Sequence, residues 1–152
     1  MGIGIERVGH IVLRVADVDT SVAFYRDVLG METMRHNSGN AAFMSFGTLH
    51  HDIGLFKDTG DHTRGSLGLA HVALRLTGGD AELRIAYDTL KASGVVIDHT
   101  ADHGMTHSVY FLDPDGNTLE IYVDVYSENE GKDVMRNKGG YRERLDIEAV
   151  LA

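Results

Sequence analysis

The chain has no cysteine. Disulfides and thiolate metal ligands are therefore excluded, and any bound metal must take nitrogen and oxygen donors. A basic strip is also missing. No run of Lys or Arg occurs and the formal net charge is −9, so the surface does not suit a phosphate backbone and nucleic acid is not an expected partner. No apolar stretch approaches the roughly 20 residues that a membrane-spanning helix requires, and the N-terminus lacks the charged-then-apolar pattern of a secretory signal. These absences lead to the expectation of a soluble, cytoplasmic protein with no membrane partner. What is present, 152 residues with 43% hydrophobic content, suffices for one compact domain with its own core.

An internal repeat organises the sequence from Val8 to Val123, with too few copies for a solenoid. V-G-H-I-V-L-R-V at Val8 to Val15 aligns with L-A-H-V-A-L-R-L at Leu69 to Leu76, matching His10 to His71 and Arg14 to Arg75. Period-2 alternation places His10, Val12 and Arg14 on one face of the first strand, and His71, Ala73 and Arg75 on the corresponding face of the second. A helix is predicted after each strand. One runs from about Thr20 to Leu29, capped by Asp19 or Thr20 and stopped by Gly30; the other is capped by Asp80 and ends at Gly94. Three strands are predicted after each helix: Glu32 to His36, Ala42 to Phe46 and His51 to Phe56 in the first copy, and Val95 to His99, Ser108 to Leu112 and Thr118 to Val123 in the second. Asp113-Pro114-Asp115-Gly116-Asn117 forms the last turn. Each copy thus reads β-α-β-β-β, an α+β fold. The predicted domain covers residues 1–126, with units at about 8–56 and 69–123 joined by the polar loop Lys57 to Gly65. Residues 127–152 form a charged tail with a helix expected from about Tyr141 to Leu151; a lid, a dimer contact and a disordered segment all remain open for it.

Two imidazoles and one carboxylate on separate strands can hold a divalent metal and leave its other positions open. His10 and His71 occupy matched repeat positions, and Glu120 lies in the apolar strand that ends the second copy. A single histidine at a strand start is ordinarily a surface or satisfied core residue; a matched pair points to a shared role. A carboxylate among apolar neighbours costs several kcal/mol to bury ionised unless it is paired or meets a cation.

The segment H-I-V-L-R-V-A-D-V-D-T-S-V-A-F-Y-R-D-V-L-G-M from His10 to Met31 and the segment D-P-D-G-N-T-L-E-I-Y from Asp113 to Tyr122 resemble the vicinal oxygen chelate superfamily. The resemblance implies that the two βαβββ units pair into a curved, barrel-like mixed sheet around a metal cavity, with His10, His71 and Glu120 at the metal-ligand positions. Glyoxalase-like members place a fourth ligand on the last strand of the first copy. Superposing the copies puts Gly54 opposite Glu120, and glycine supplies no ligand. Three protein ligands leave about three positions of an octahedral ion open, which favours oxygen chemistry over enediolate isomerisation.

Leu49 to Phe56, His103 to His107 and Tyr110 to Glu120 further resemble active-site stretches of extradiol catechol dioxygenases. That likeness implies Fe(II), or else Mn(II) or another divalent metal, with an aromatic diol and O2 as reactants. It also implies His51 as the acid-base and oxygen partner, His103 as an aid to substrate binding, and Tyr110 as hydrogen-bond donor to the diol. The chain departs from the pattern in three respects. His103 stands two residues closer to Tyr110 than usual, so His99, His103 and His107 compete for one role. Strand parity favours His50, Asp52 and Gly54 over His51 for the cavity face. The second, metal-free module of most such dioxygenases has no counterpart in these residues, which implies a shallower pocket. The expected activity is extradiol ring cleavage by a homodimer or higher homo-oligomer. A metal-dependent glyoxalase- or epimerase-type lyase or isomerase, with His50 or Asp52 as base, is the alternative. A metal-free, drug-sequestering protein is a third reading, opposed by the presence of all three ligand candidates.

Overall fold

The computed structural model describes residues 9–58, 60, 69–137 and 142–149. The chain divides into two compact units, Met1–Thr63 and Arg64–Ala152, and each carries the predicted α+β pattern. In the first, β1 (Ile11–Val15), α1 (Val18–Asp27), β2 (Glu32–Asn37), β3 (Ala41–Ser45) and β4 (Ile53–Lys57) form an open mixed sheet of order β1-β4-β3-β2. In the second, β5 (Val72–Arg75), α2 (Asp80–Ala92), β6 (Ile97–Asp102), β7 (Thr106–Leu112) and β8 (Thr118–Asp124) repeat that order as β5-β8-β7-β6. The first strand of each unit pairs in parallel with the last, and the remaining pairs are antiparallel. Val8, the expected start of the first strand, lies outside the described residues.

Alternation along the strands decides what faces the core. Leu13 and Val15 are buried while Val12 stands exposed on the other face of β1. Ala42, Met44, Ile53 and Leu55 extend the buried layer, which α1 covers with Val18, Val22 and Tyr25. In the second unit, Val109, Phe111, Leu119 and Val123 form the equivalent layer, with Leu83 and Leu90 of α2 buried as well.

Both helices begin slightly away from the expected caps. Asp17, not Asp19 or Thr20, caps α1: its carboxylate accepts from the Thr20 amide at 2.7 Å, and that bond is the main reason its pKa lies below the ordinary aspartate value. Asp19 sits inside the first turn, where Ser38 and His36 engage its carboxylate. At α2 the cap is Gly79, whose amide donates to Glu82 Oε2 at 2.8 Å. Asp80, the expected cap, instead holds His107. The stops are as expected: Gly30 and Gly94 adopt φ of 70° and 71°, which side-chain-bearing residues rarely tolerate. In the last turn Asp113 Oδ1 accepts from the amides of Asp115 and Asn117, which fixes the approach to β8.

The tail corrects one expectation. Its helix is α3 (Glu128–Asn137), not a helix from Tyr141 to Leu151. Residues 142–149 contain no helix, and 141, 150 and 151 lie outside the described residues. Ser127 caps α3, giving its hydroxyl and amide to Glu130 Oε2 at 2.6 and 3.2 Å. Farther on, Glu143 exchanges two backbone hydrogen bonds with Asp102, and Thr100 Oγ1 donates to the Leu145 carbonyl at 2.6 Å. The tail therefore adds a strap beside β6, with Leu145 and Ile147 buried. Among the described residues, no helix is long and apolar enough to cross a membrane.

Phe111 is fully buried at the centre of the second unit. Phe111→Ala is expected to cost about 3–5 kcal/mol, whereas Val96→Ala at an exposed position should change stability by less than about 0.5 kcal/mol. Urea denaturation of the two variants measures the difference.

Candidate metal centre

The parallel pairing of β5 with β8 sets Ala73 beside Glu120. His71, two residues before Ala73, lies on the same face, and its Nε2 comes within 3.1 Å of Glu120 Oε2. Glu120 is only 6% exposed, so its carboxylate oxygens find their partners among the few polar groups around it. Tyr110 is its neighbour across the β7–β8 ladder and hydrogen-bonds its carboxylate. Burial, then the charge of Glu120, pushes the Tyr110 pKa up to about 12, against a weaker opposing effect of Arg142. At neutral pH the phenol keeps its proton and serves as a donor.

The three histidines that compete in the sequence separate in space. His103 Nε2 lies 3.1 Å from the Tyr110 hydroxyl. His99 lies flat on the Tyr110 ring, with centroids 4.2 Å apart and planes 10° from parallel; Asp98 holds its Nδ1 at 2.7 Å and Arg142 Nη2 meets its Nε2 at 2.5 Å. An arginine only donates, so His99 Nε2 accepts and Nδ1 carries the proton toward Asp98. His107 is bound elsewhere: its Nδ1 is 2.6 Å from Asp80 Oδ1 at the start of α2.

In the first unit, His10 precedes β1 as His71 precedes β5. Its ring lies 4.4 Å from that of His51, which also meets Phe43 edge-on at 5.1 Å and has its Nδ1 2.6 Å from His50 Nδ1. Parity counted back from Gly54 favours His50 and Asp52 for this face, but β4 begins only at Ile53. Ahead of it the alternation lapses: the Asp52 carboxylate turns back to accept from the Phe46 amide at 2.8 Å, and His51 is the residue against His10. Burial chiefly, with repulsion from His10 and His50, lowers the His51 pKa, while Asp52 pulls the other way. His51 is thus inclined to be neutral and able to accept a proton at physiological pH.

The registers also agree with the superposition of the copies. Val12 pairs with Gly54 as Ala73 pairs with Glu120. A side chain at Gly54 would be crowded, since a Cβ there lies 3.1 Å from Phe56 Cε2 and 3.3 Å from Val12 Cγ2.

Of the predicted ligands, His71 and Glu120 come together within the second unit, and His10 stands with His51 in the first. Taking either unit alone, no three His, Asp or Glu side chains among the described residues group around one point. His71 and Glu120 nevertheless fit a divalent metal: an imidazole nitrogen and a buried carboxylate oxygen converge on an open sheet face. Beside them is a cavity of about 950 Å³ with Ala73, Tyr110, Glu120 and Tyr122 on its sheet side. Lys132 and Met135 of α3, and Arg142 beyond it, also line this cavity and were not expected from the sequence. The capping-box pattern S-E-N-E at Ser127 to Glu130 is the signal that marks α3; Arg142 has no comparable local signal.

This chain belongs to the Glyoxalase/Bleomycin resistance protein/Dioxygenase superfamily, whose sequence profile matches residues 7–121. It is similar to biphenyl-2,3-diol 1,2-dioxygenase 3 of Rhodococcus globerulus, with 33% identity over 129 residues, covering 82% of this chain but only 66% of that protein. It is 31% identical over 128 residues to a probable lactoylglutathione lyase of Vibrio cholerae, covering 76% of this chain and 89% of the lyase. Among solved structures, the lactoylglutathione lyase of Agrobacterium tumefaciens aligns with a TM-score of 0.65 and 25% identity, covering 79% of this chain and 95% of that one. Members of the superfamily bind divalent metals and include both dioxygenases and lyases.

The histidine geometry gives a separable outcome. His107→Ala should lower stability by about 1 kcal/mol, through loss of its bond to partly exposed Asp80. Urea midpoints of this variant, of Asp80→Ala and of the double variant measure it, and fully additive losses would contradict the assignment of His107 to the α2 terminus.

Proposed function

We propose that the protein is an extradiol-type dioxygenase that opens a catechol-like aromatic ring with O2, using Fe(II) held by His10, His71 and Glu120. The observation that carries this reading is the polar set on the second sheet: His71 and Glu120 at 3.1 Å, Tyr110 hydrogen-bonded to Glu120, and His103 on the Tyr110 hydroxyl. His10 completes the ligand set from the matching position of the first unit, supplied by the same chain or by a second copy. The likeness to the Rhodococcus dioxygenase supports the assignment, although that protein is longer. When bound, the metal would supply a common anchor for diol and O2 and a path for electrons between them.

The residues of the chain have distinct tasks in this scheme. Tyr110, protonated at neutral pH, turns its one O–H from Glu120 to a diol oxygen that gains negative charge. His103 fixes the direction of that hydroxyl, and His99 supports the phenol ring from below. His51, whose pKa is depressed by burial, takes a proton from the diol and returns it as the ring opens. Both oxygen atoms of O2 enter the product, so no external reductant is required.

A metal-dependent lyase or isomerase is the second reading, favoured by the fuller coverage of the Vibrio cholerae relative. Gly54 opposes it, because glycine supplies no fourth ligand at the position that matches Glu120.

Anaerobic loading with Fe(II), followed by a panel of catechols in air, should give a yellow product with one O2 consumed per diol. Conversion of a thiohemiacetal without oxygen uptake would establish the second reading instead. Alanine at His10, His71 or Glu120 should each reduce bound metal, as measured by elemental analysis. His51→Ala should retain metal while turnover falls about a hundredfold or more.

A further inference from the structure

The cavity beside Glu120 has an end that ring cleavage alone does not require. Met105, Tyr110, Tyr122 and Met135 give it apolar and aromatic surface, and Lys132 and Arg142 add two cations. The carboxylates along the same wall are engaged: Arg75 Nε donates to Asp124 Oδ2 at 2.6 Å, and Glu120 faces His71 and Tyr110. Lys132 has no hydrogen-bond or ion-pair partner among the described residues. Arg142 gives one Nη2 bond to His99, and a guanidinium has five N–H donors, so others remain for a ligand. A lysine without such a partner and an arginine with spare donors stand over this apolar surface in a chain of net charge −9. An ammonium and a guanidinium on the wall of an open cavity with apolar and aromatic surface can recognise an organic acid by charge-assisted hydrogen bonds.

We propose that Lys132 and Arg142 form a carboxylate-binding end of this cavity, so that the preferred ligand is an aromatic diol bearing an acidic side chain. The diol part of this inference rests on the ring-cleavage reading; the acid part does not. The ring lies on the sheet side, with the diol toward Glu120 and the acid toward the tail. Lys132 is the sharper probe, because Arg142 also holds His99 against Tyr110.

The test compares 3,4-dihydroxyphenylacetate, 4-methylcatechol and phenylacetate by calorimetry on metal-loaded protein under argon, with turnover in air measured separately. The acidic diol should bind about tenfold more tightly than the neutral one, the size of one charge-assisted hydrogen bond. Added salt should narrow that preference. Lys132→Gln should abolish most of it, and Lys132→Arg should keep it. Equal affinity for the two diols, or a preference unchanged in Lys132→Gln, overturns the proposal even if both diols are cleaved. If neither diol is cleaved while phenylacetate binding still depends on Lys132, the acid site stands and the ring-cleavage reading falls.

Discussion

In each unit the first strand lies parallel to the last, with a helix and two strands between them in sequence. Parallel neighbours cannot be joined by a tight turn, so the chain must leave the sheet and return before the pair can form. That excursion brings residues from opposite ends of the unit onto one face. His71 and Glu120 meet because Ala73 and Glu120 are in register, and a slip of one residue would send Glu120 to the α2 side. The buried layer of Leu119 and Val123 holds that register, since a slip would expose both. The hydrophobic core thus sets the position of the carboxylate.

The two units share this topology but offer different chemistry. On the first sheet, the residues around the Glu120-equivalent position are Val12, Phe43 and Phe56, and the position itself is a crowded glycine. On the second, Glu120 is flanked by Tyr110 and Tyr122, with Asp124 beyond. The first unit therefore presents imidazoles against an apolar face, while the second presents a carboxylate, a phenol and one matching imidazole. A duplicated scaffold with one carboxylate retains fewer protein donors than one with two, which leaves more of a bound cation for small molecules.

Much of this was legible in the sequence because the repeat and the two-residue strand period are local and strong. His10 and His71 share a position in matched strands, and alternation gave Val12, Arg14, Ala73 and Arg75 their faces. Alternation failed where the strand had not yet begun. His50 to Asp52 precede β4, and the bond from the Phe46 amide to Asp52 decides which histidine meets His10. The roles of His99 and His107 were equally hidden, because they depend on Arg142 and Asp80, which are distant in sequence; His103 meets Tyr110, seven residues on. Asp80 departs from its expected cap role for a related reason: an aspartate beside a helix start ordinarily serves that helix, but a histidine on β7 engages this one.

The tail shows how a segment without a periodic apolar pattern can still bear on a site. Its position is fixed by backbone pairing between Glu143 and Asp102 and by burial of Leu145 and Ile147, interactions with β6 and α2 that its own sequence does not announce. Once the strap is set, Arg142 is next to Glu143 and reaches His99, which in turn lies on Tyr110. Tyr110 meets Glu120, so a chain of direct contacts leads from the strap to the carboxylate. Rigidity along that route matters for the donor role proposed for Tyr110, because a ring free to swing would lose its aim before any charge developed on its partner. The aim of the tyrosine is therefore set partly by residues outside the repeat that carries the metal-ligand candidates.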